Sequence, residues 1–305
     1  MPVDLPPTVA ENWKFFVNAQ LWPRAARFDP RGWLENFDSA DQKFAIRLVE
    51  GFTYFSSELV EALFRGAFQN LSQLVVQNKD NYFSASAQWS QFVESAIVVR
   101  TEGRHSSDAD SAFIFTRMAR DIVRVQDEQI LSPAKALERL RITPRGNVIF
   151  VDDFVGSGEQ FENTWTKNHQ LVNLAVASFR SLVATIGPHS VSFYYCPLVC
   201  TEVGRQHIAA KCPLVKVVPA HILPDTYSAL SGNSVIWRDD MKITGPAFVE
   251  RASAKARIPF REGQEGCWKG YRQLGLALAF AHGWPDAILP IFTHQDNGWK
   301  PLLKK

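Results

Sequence analysis

The four cysteines, Cys196, Cys200, Cys212 and Cys267, make neither a disulfide framework nor a CxxC metal pattern. Reduced, partly buried thiols that behave as small hydrophobes are the expectation, and metal binding through them is not supported. No apolar stretch approaches the roughly 18 residues a membrane helix needs. The opening residues, MPVDLPPTVAENW, lack the basic-then-apolar layout of a secretory signal, so a cytoplasmic protein is expected. There is no internal repeat and no low-complexity segment, which argues against a disordered interaction tail. Charge of one sign is missing too. With 33 basic and 31 acidic residues the net charge is +2, so bulk electrostatics does not point to nucleic-acid binding, although a local basic patch stays open.

What is present is ordinary globular material. At 305 residues, 46% apolar and 21% charged, the chain suits one large domain or two smaller ones with a sizeable core. The first 90 or so residues read as helical. SADQKFAIRLVEGF opens with Ser39 and Gln42 at capping-box spacing, ahead of Phe44, Ala45, Leu48 and Val49 on one face. Leu59, Val60, Leu63, Phe64, Ala67, Leu71, Leu74 and Val75 mark a longer amphipathic helix from about Ser57 to Val76. A short third helix carries Trp89 and Phe92, and no strand-like alternation occurs before that point.

The pattern then changes. SAIVV (95–99), NVIFV (147–151), SVSFYYCPLVC and PLVKVVPAHI read as strands. Helices are expected at SAFIFTRMARDIVRV, around Phe161 and Trp165, at LVNLAVASFRSLVATIG and at TEVGRQHIAA. Strands alternating with helices predict βαβ units, and hence an α/β fold with a mostly parallel sheet flanked by helices and preceded by an N-terminal α-helical domain. The expected boundaries are 1–92 for the helical domain and 93–305 for the α/β domain. Residues 225–265 show little periodicity, and GYRQLGLALAFAHGWP reads as a buried helix stopped by Gly283 and Pro285.

One stretch carries chemistry. In NVIFVDDFVGSGEQF a buried-looking strand runs into Asp152 and Asp153, followed at once by Gly156, Ser157 and Gly158 and then by a helix. Ligands of open parallel sheets bind at the carboxyl ends of strands. Glycines let backbone N–H groups turn toward an anion, and the helix start adds positive partial charge. The loop therefore suits phosphate. The two carboxylates suit vicinal hydroxyls, which need acceptors, or a divalent cation. Phosphate beside hydroxyls describes a ribose 5-phosphate unit. A Walker A loop would need Lys where Glu159 stands, and the dinucleotide fingerprint has three spaced glycines without intervening aspartates. A receiver domain would draw its acids and acceptor from different strands. A chance βα turn with solvated aspartates is the bland alternative.

VIFVDDFVGSGEQ resembles the phosphoribosyltransferase signature: an apolar strand, two acidic residues, an apolar residue, then a short Gly/Ser/Thr loop. That resemblance implies a site for phosphoribosyl pyrophosphate (PRPP). Asp152 and Asp153 would hold ribose, and Val155, Gly156, Ser157, Gly158, Glu159 and Gln160 would cradle the 5-phosphate, chiefly through backbone amides and the Ser157 hydroxyl. The usual loop is richer in Thr and ends in Thr or Ser, whereas Gly156 and Gln160 stand at two such places here. The chain is further similar to a bacterial phosphoribosyltransferase-like group with an added helical N-terminus, found in conflict and anti-phage gene neighbourhoods that include some retrons. The stretches carrying this are WLENFDSADQKFAIRLVEGFTYFSSE, DADSAFIFTRMARD, LVCTEVGRQHI and AHGWPDAILPIF with GWKPL. Gly283-Trp284 departs from the small polar residues expected between His282 and Pro285.

Other residues join the candidate site less specifically. The loop RTEGRHSSDADS, with Arg100, Arg104 and His105, stands where such a transferase holds pyrophosphate, and guanidinium groups suit diphosphate oxygens. Its alternative is a solvated loop. Glu202 and Arg205 follow a strand end and could meet the base or acceptor, against the alternative of a helix cap and surface pair. Arg117, Arg120 and Arg124 form a helical stripe that reads as a solvated face partnered by Asp121 and Asp127, its minority reading being a docking surface for nucleic acid or an acidic partner. His282 reads as a hydrogen-bonded core residue. The resulting expectation is a site that binds PRPP or a related ribose phosphate, with Mg²⁺, and displaces the group at C1 of the ribose. As a defence effector or toxin it would act on nucleotides or a tRNA. The rival expectation is a non-catalytic module that senses a nucleotide or docks a partner while keeping the phosphate loop.

Overall fold

Short polar side chains start many of the helices in this chain. Asp29, Asp38, Asn81, Ser132, Ser178 and Thr201 each accept a hydrogen bond from a backbone N–H of the turn that follows. The computed structural model describes residues 5–23, 26–77, 80–101, 109–261 and 267–304. From the N-terminus come α1 (Pro7–Asn18), α2 (Pro30–Leu34), α3 (Ser39–Glu50), the short strand β1 (Thr53–Phe55), α4 (Ser57–Val75) and α5 (Tyr82–Ser95). The chain then alternates through β2 (Ala96–Arg100), α6 (Ala109–Met118), β3 (Ile130–Leu131), α7 (Pro133–Ile142), β4 (Gly146–Val155) and α8 (Glu159–Thr166). A small antiparallel pair follows, β5 (His169–Gln170) with β6 (Val176–Ala177). Next are α9 (Phe179–Ile186), β7 (Val191–Thr201), α10 (Glu202–Lys211), β8 (Val215–Val217) and β9 (His221–Leu223). The last part holds α11 (Thr244–Lys255) and β10 (Leu278–Phe280).

These elements fall into two compact units. One consists of the residues up to Val60 together with those from Pro224 onward, and the other is Glu61–Leu223. The second unit contains a six-stranded sheet in the order β3-β2-β4-β7-β8, with β9 also pairing to the C-terminal end of β7. Its pairings are all parallel, as βαβ crossovers require. Alternation along β4 sends Val148 and Phe150 to one face, beside Ile97, Val99, Phe193 and Tyr195 of the neighbouring strands. Leu137, Leu140, Phe161, Trp165, Phe179 and Leu182 of α7, α8 and α9 pack against that face. Each large side chain buried this way contributes about 1.5–3 kcal/mol.

The other unit has its own aromatic core, in which Trp13, Trp22, Phe28, Trp33 and Phe37 join Phe248, Phe292, Trp299 and Leu302. Trp33 and Trp299 both donate their indole N–H to the Ile291 carbonyl at 2.9 Å. The two-stranded pairing of β1 with β10 lies in the same unit.

Several sequence expectations change. In the second unit α4 and α5 turn their apolar stripes inward: Phe64 stacks on Phe115 with ring centroids 6.3 Å apart, and Phe92 meets Tyr194 at 5.5 Å. The cap of α3 is Asp38, whose carboxylate accepts from the Ala40 and Asp41 N–H groups, not Ser39. The stretch 270–285 contains no helix of the expected kind. Leu278–Phe280 is a strand, and Gly270 and Gly275 hold φ values of +75° and +56° that interrupt a helix. A short, uniformly apolar run has no periodicity with which to separate strand from buried helix. In LVNLAVASFRSLVATIG the helix begins only at Phe179, since Ser178 caps it, and ends at Gly187 as expected. β1, β3, β5, β6, α7 and α11 were not anticipated, and PLVKVVPAHI holds two strands instead of one. No described helix is long and apolar enough to cross a membrane.

Candidate functional site

β4 does not stop before the acidic pair. It continues through Asp152 and Asp153 to Val155, because β7 runs equally far and pairs Phe154 with Val199 and Val155 with Cys200. The carboxylates are therefore held on a central strand and not on a loop. Strand alternation then turns them toward opposite faces, while their carboxyl groups stay close enough to interact. Asp152 follows Phe150 onto the face covered by α8, while Asp153 follows Val151 onto the other.

Asp152 is 9% exposed. Its Oδ2 accepts from the Thr101 hydroxyl at 2.6 Å and from the Tyr195 hydroxyl at 2.7 Å. Its Oδ1 accepts from the Asp153 N–H at 3.0 Å. Burial, followed by the neighbouring charge of Asp153, pushes the carboxyl up to about 8, against the opposing pull of the two hydroxyls. Tyr195 is itself raised well above the usual phenol range by burial and then by Asp152, so it stays a donor. Phe161 of α8 lies flat on the Tyr195 ring, centroids 4.1 Å apart and 18° between planes. Asp153 is half-buried.

The turn after β4 is built by close backbone packing. Gly158, with φ +83°, precedes α8, and its carbonyl accepts from the Glu162 N–H at 3.1 Å. A Cβ on Gly158 would lie 2.8 Å from the Gly204 carbonyl, and one on Gly204 would lie 2.4 Å from the Gly156 carbonyl. Only glycines allow α10 to approach the turn this closely. Thr201 Oγ1 donates to the Gly156 carbonyl at 2.5 Å and accepts from the Gly204 N–H at 3.0 Å. Because C=O and N–H of one peptide point oppositely, drawing the Gly156 carbonyl toward Thr201 turns the Ser157 N–H the other way. The Ser157 and Gly158 N–H groups have no acceptor among the described residues. The Ser157 hydroxyl accepts from the Glu159 N–H at 3.4 Å. Glu159 and Glu162 add negative charge to the first helical turn, so the positive partial charge at this helix start comes from backbone amides alone. Glu162 is engaged by His207 Nε2 at 2.7 Å, a second link between α8 and α10. Gln160 is exposed.

The remaining predicted residues divide. Arg100 ends β2 opposite Val151, one residue from Thr101 and so near the acidic pair. Arg104 and His105 lie outside the described residues. Glu202 and Arg205 sit in the first turn of α10 and bind each other with two hydrogen bonds of 2.9 and 2.7 Å. Those bonds, with one from Gln206, hold the Glu202 carboxyl down to about 2. Arg117 and Arg120 pair with Asp121 at 3.5 and 2.9 Å, and Arg120 reaches Asp127 at 3.8 Å, while Arg124 leaves the helix at φ +65°. His282 is half-buried and stacks on Phe280 at 5.3 Å. All four cysteines are unpaired and buried, and burial pushes Cys200 and Cys212 up to about 12, as inert thiols require.

Sequence reasoning missed Thr101, Tyr195, Thr201 and Gly204. The only local signal was Thr201 three residues ahead of Gly204 at a strand end, a helix-cap spacing. Among the described residues there is no cluster of three His, Cys, Asp or Glu, and both Asp152 oxygens accept from protein donors.

A family model described as PRTase-CE matches residues 30–305. No curated protein matches the chain.

Proposed function

The chain belongs to the phosphoribosyltransferase-like PRTase-CE family, and from that premise we propose that the turn between β4 and α8 holds the 5-phosphate of a ribosylated ligand, PRPP or a nucleotide. The observation that carries the reading is the Ser157 and Gly158 amides, which have no acceptor among the described residues, at the start of α8 in the turn that follows the strand carrying Asp153; the Ser157 amide is turned from the Thr201 side. Asp153 accepts from a ribose hydroxyl, and Arg100 at the end of β2 supplies positive charge for the diphosphate. Mg²⁺ would enter bound to that diphosphate and neutralise its charge, with Asp153 as the adjoining carboxylate.

In the transferase reading the bond between C1 of the ribose and the diphosphate oxygen breaks, diphosphate leaves with the electron pair, and an acceptor nucleophile bonds to C1. The oxocarbenium-like transition state gains from the nearby Asp153 charge. The acceptor would approach on the side of Glu202 and Arg205. A sensor reading is favoured by two observations: Gly156 and Gln160 replace hydroxyl residues of the usual loop, and Asp152 is fully engaged within the protein. A role in anti-phage defence, with nucleotides or tRNA as targets, rests on the four resembling stretches.

Calorimetry with PRPP and Mg²⁺, with Asp153→Asn as control, tests the ligand. Saturable binding that the substitution weakens supports it, and silence of the wild type sinks both versions. Binding with no turnover across nucleobases, nucleotides and tRNA selects the sensor. For the defence role, growth arrest on expression that Asp153→Asn abolishes is expected; arrest that survives the substitution places the toxic centre elsewhere.

A further inference from the structure

We propose that Asp152 is a positioning residue and not a ligand contact: with Thr101 and Tyr195 it forms a buried clasp that ties three adjacent strands together, leaving recognition of the ribose hydroxyl to Asp153. The inference rests on the ribose-phosphate reading of the same site.

The geometry carries it. β2, β4 and β7 are neighbours in the sheet, and the clasp takes one residue from the end of β2, one from β4 and one from β7. Thr101 directly follows β2 and is itself buried, its N–H reaching the Val151 carbonyl at 3.5 Å. Asp152 Oδ2 already receives two hydroxyl donors and Oδ1 the N–H of Asp153, so three of its roughly four acceptor positions are taken within the protein. The Asp153 N–H bond to Oδ1 orients the peptide that carries the second carboxylate. The clasp extends to the phosphate side, because the Tyr195 ring lies under Phe161 in the first turns of α8. One buried carboxyl group therefore links the end of β2, the position of Asp153 and the seat of α8.

Such a role makes Thr101 and Tyr195 matter to a ligand they do not touch. The test compares ribose 5-phosphate with 2-deoxyribose 5-phosphate, titrated into the wild type, Asp152→Asn, Asp153→Asn, Thr101→Val and Tyr195→Phe. The wild type is expected to favour the ribose form. Asp153→Asn is expected to remove that preference. Asp152→Asn, Thr101→Val and Tyr195→Phe are each expected to weaken both sugars by a similar factor, about 3- to 10-fold, and to keep the preference. Loss of the preference in Asp152→Asn, with Thr101→Val and Tyr195→Phe like the wild type, would overturn the proposal. If the wild type binds neither sugar, the ribose-phosphate reading fails on its own account, and the clasp is decided by melting temperatures without ligand. Shifts of Asp152→Asn and Tyr195→Phe that fall clearly short of additive in the double variant support it, and additive shifts overturn it.

Discussion

Thr201 and Gly156 are joined by a hydroxyl-to-carbonyl hydrogen bond of 2.5 Å, and the same threonine oxygen caps α10 through the Gly204 N–H. One side chain at the end of β7 thus sets both the start of a helix and the peptide orientation in the neighbouring turn. Thr201→Val keeps the shape and removes both bonds. It is expected to cost about 1–2 kcal/mol in urea unfolding, as loss of a helix cap does, and to weaken ribose 5-phosphate binding in calorimetry. Wild-type affinity in this variant would mean that the Gly156 peptide is held by other contacts.

The glycine contact gives a second expectation. A Cβ at Gly204 would meet the Gly156 carbonyl at 2.4 Å and Val155 Cγ1 at 2.7 Å, and backbone cannot yield as a flexible side-chain end does. Gly204→Ala is expected to destabilise the protein by about 1–3 kcal/mol, the usual scale of overpacking, despite alanine's better helix propensity. Thermal or urea unfolding checks it, and a more stable variant would contradict the packing described.

Stability should also depend on pH through Asp152. Its folded-state value is raised to about 8 from an ordinary 3.8 by burial and by Asp153. The folded protein then holds a proton that the unfolded chain has released, so the contribution is fully present below about pH 4 and is lost as pH rises through 8. The difference in unfolding free energy between wild type and Asp152→Asn is therefore expected to shift against the wild type from pH 5 to pH 8, by at most about 1.4 kcal/mol per unit. A difference that is flat with pH, or that moves in favour of the wild type, would show that Asp152 is ionised in the fold.

The other unit offers a test of its own core. Phe248 is fully buried, stacks on Phe44 at 5.5 Å and meets Phe37 at 5.4 Å. Phe248→Ala is expected to cost about 3–5 kcal/mol, read by urea unfolding. A loss under 1 kcal/mol would mean that the surrounding rings close the cavity.

The acidic strand end was legible because its signals are local: four apolar residues, two carboxylates and two glycines in one run, which only a buried strand opening onto a turn accommodates. The partners of Asp152 were not legible. Thr101 and Tyr195 lie 51 and 43 residues away and reach it only because β2 and β7 flank β4, an order that periodicity does not reveal. The strand's true length was hidden for the same reason, since Asp152–Val155 stay extended through pairing with β7. α11 escaped notice because its buried side is made of Gly245, Ala252 and Ser253 beside Phe248 and Val249, a weakly apolar stripe. Gly245 stands there because a Cβ would lie 2.3 Å from the Trp237 ring. Cysteine chemistry and the pairing of Arg117 and Arg120 with Asp121 followed from composition and spacing alone.

The most direct measurement of the central claim is a calorimetric titration of PRPP with Mg²⁺ into the wild type and into Asp153→Asn. The account expects one saturable site in the wild type and at least about tenfold weaker binding in the variant, the scale of a charge-assisted hydrogen bond lost at a sugar hydroxyl. No binding by the wild type, or equal affinity in the two proteins, would contradict it.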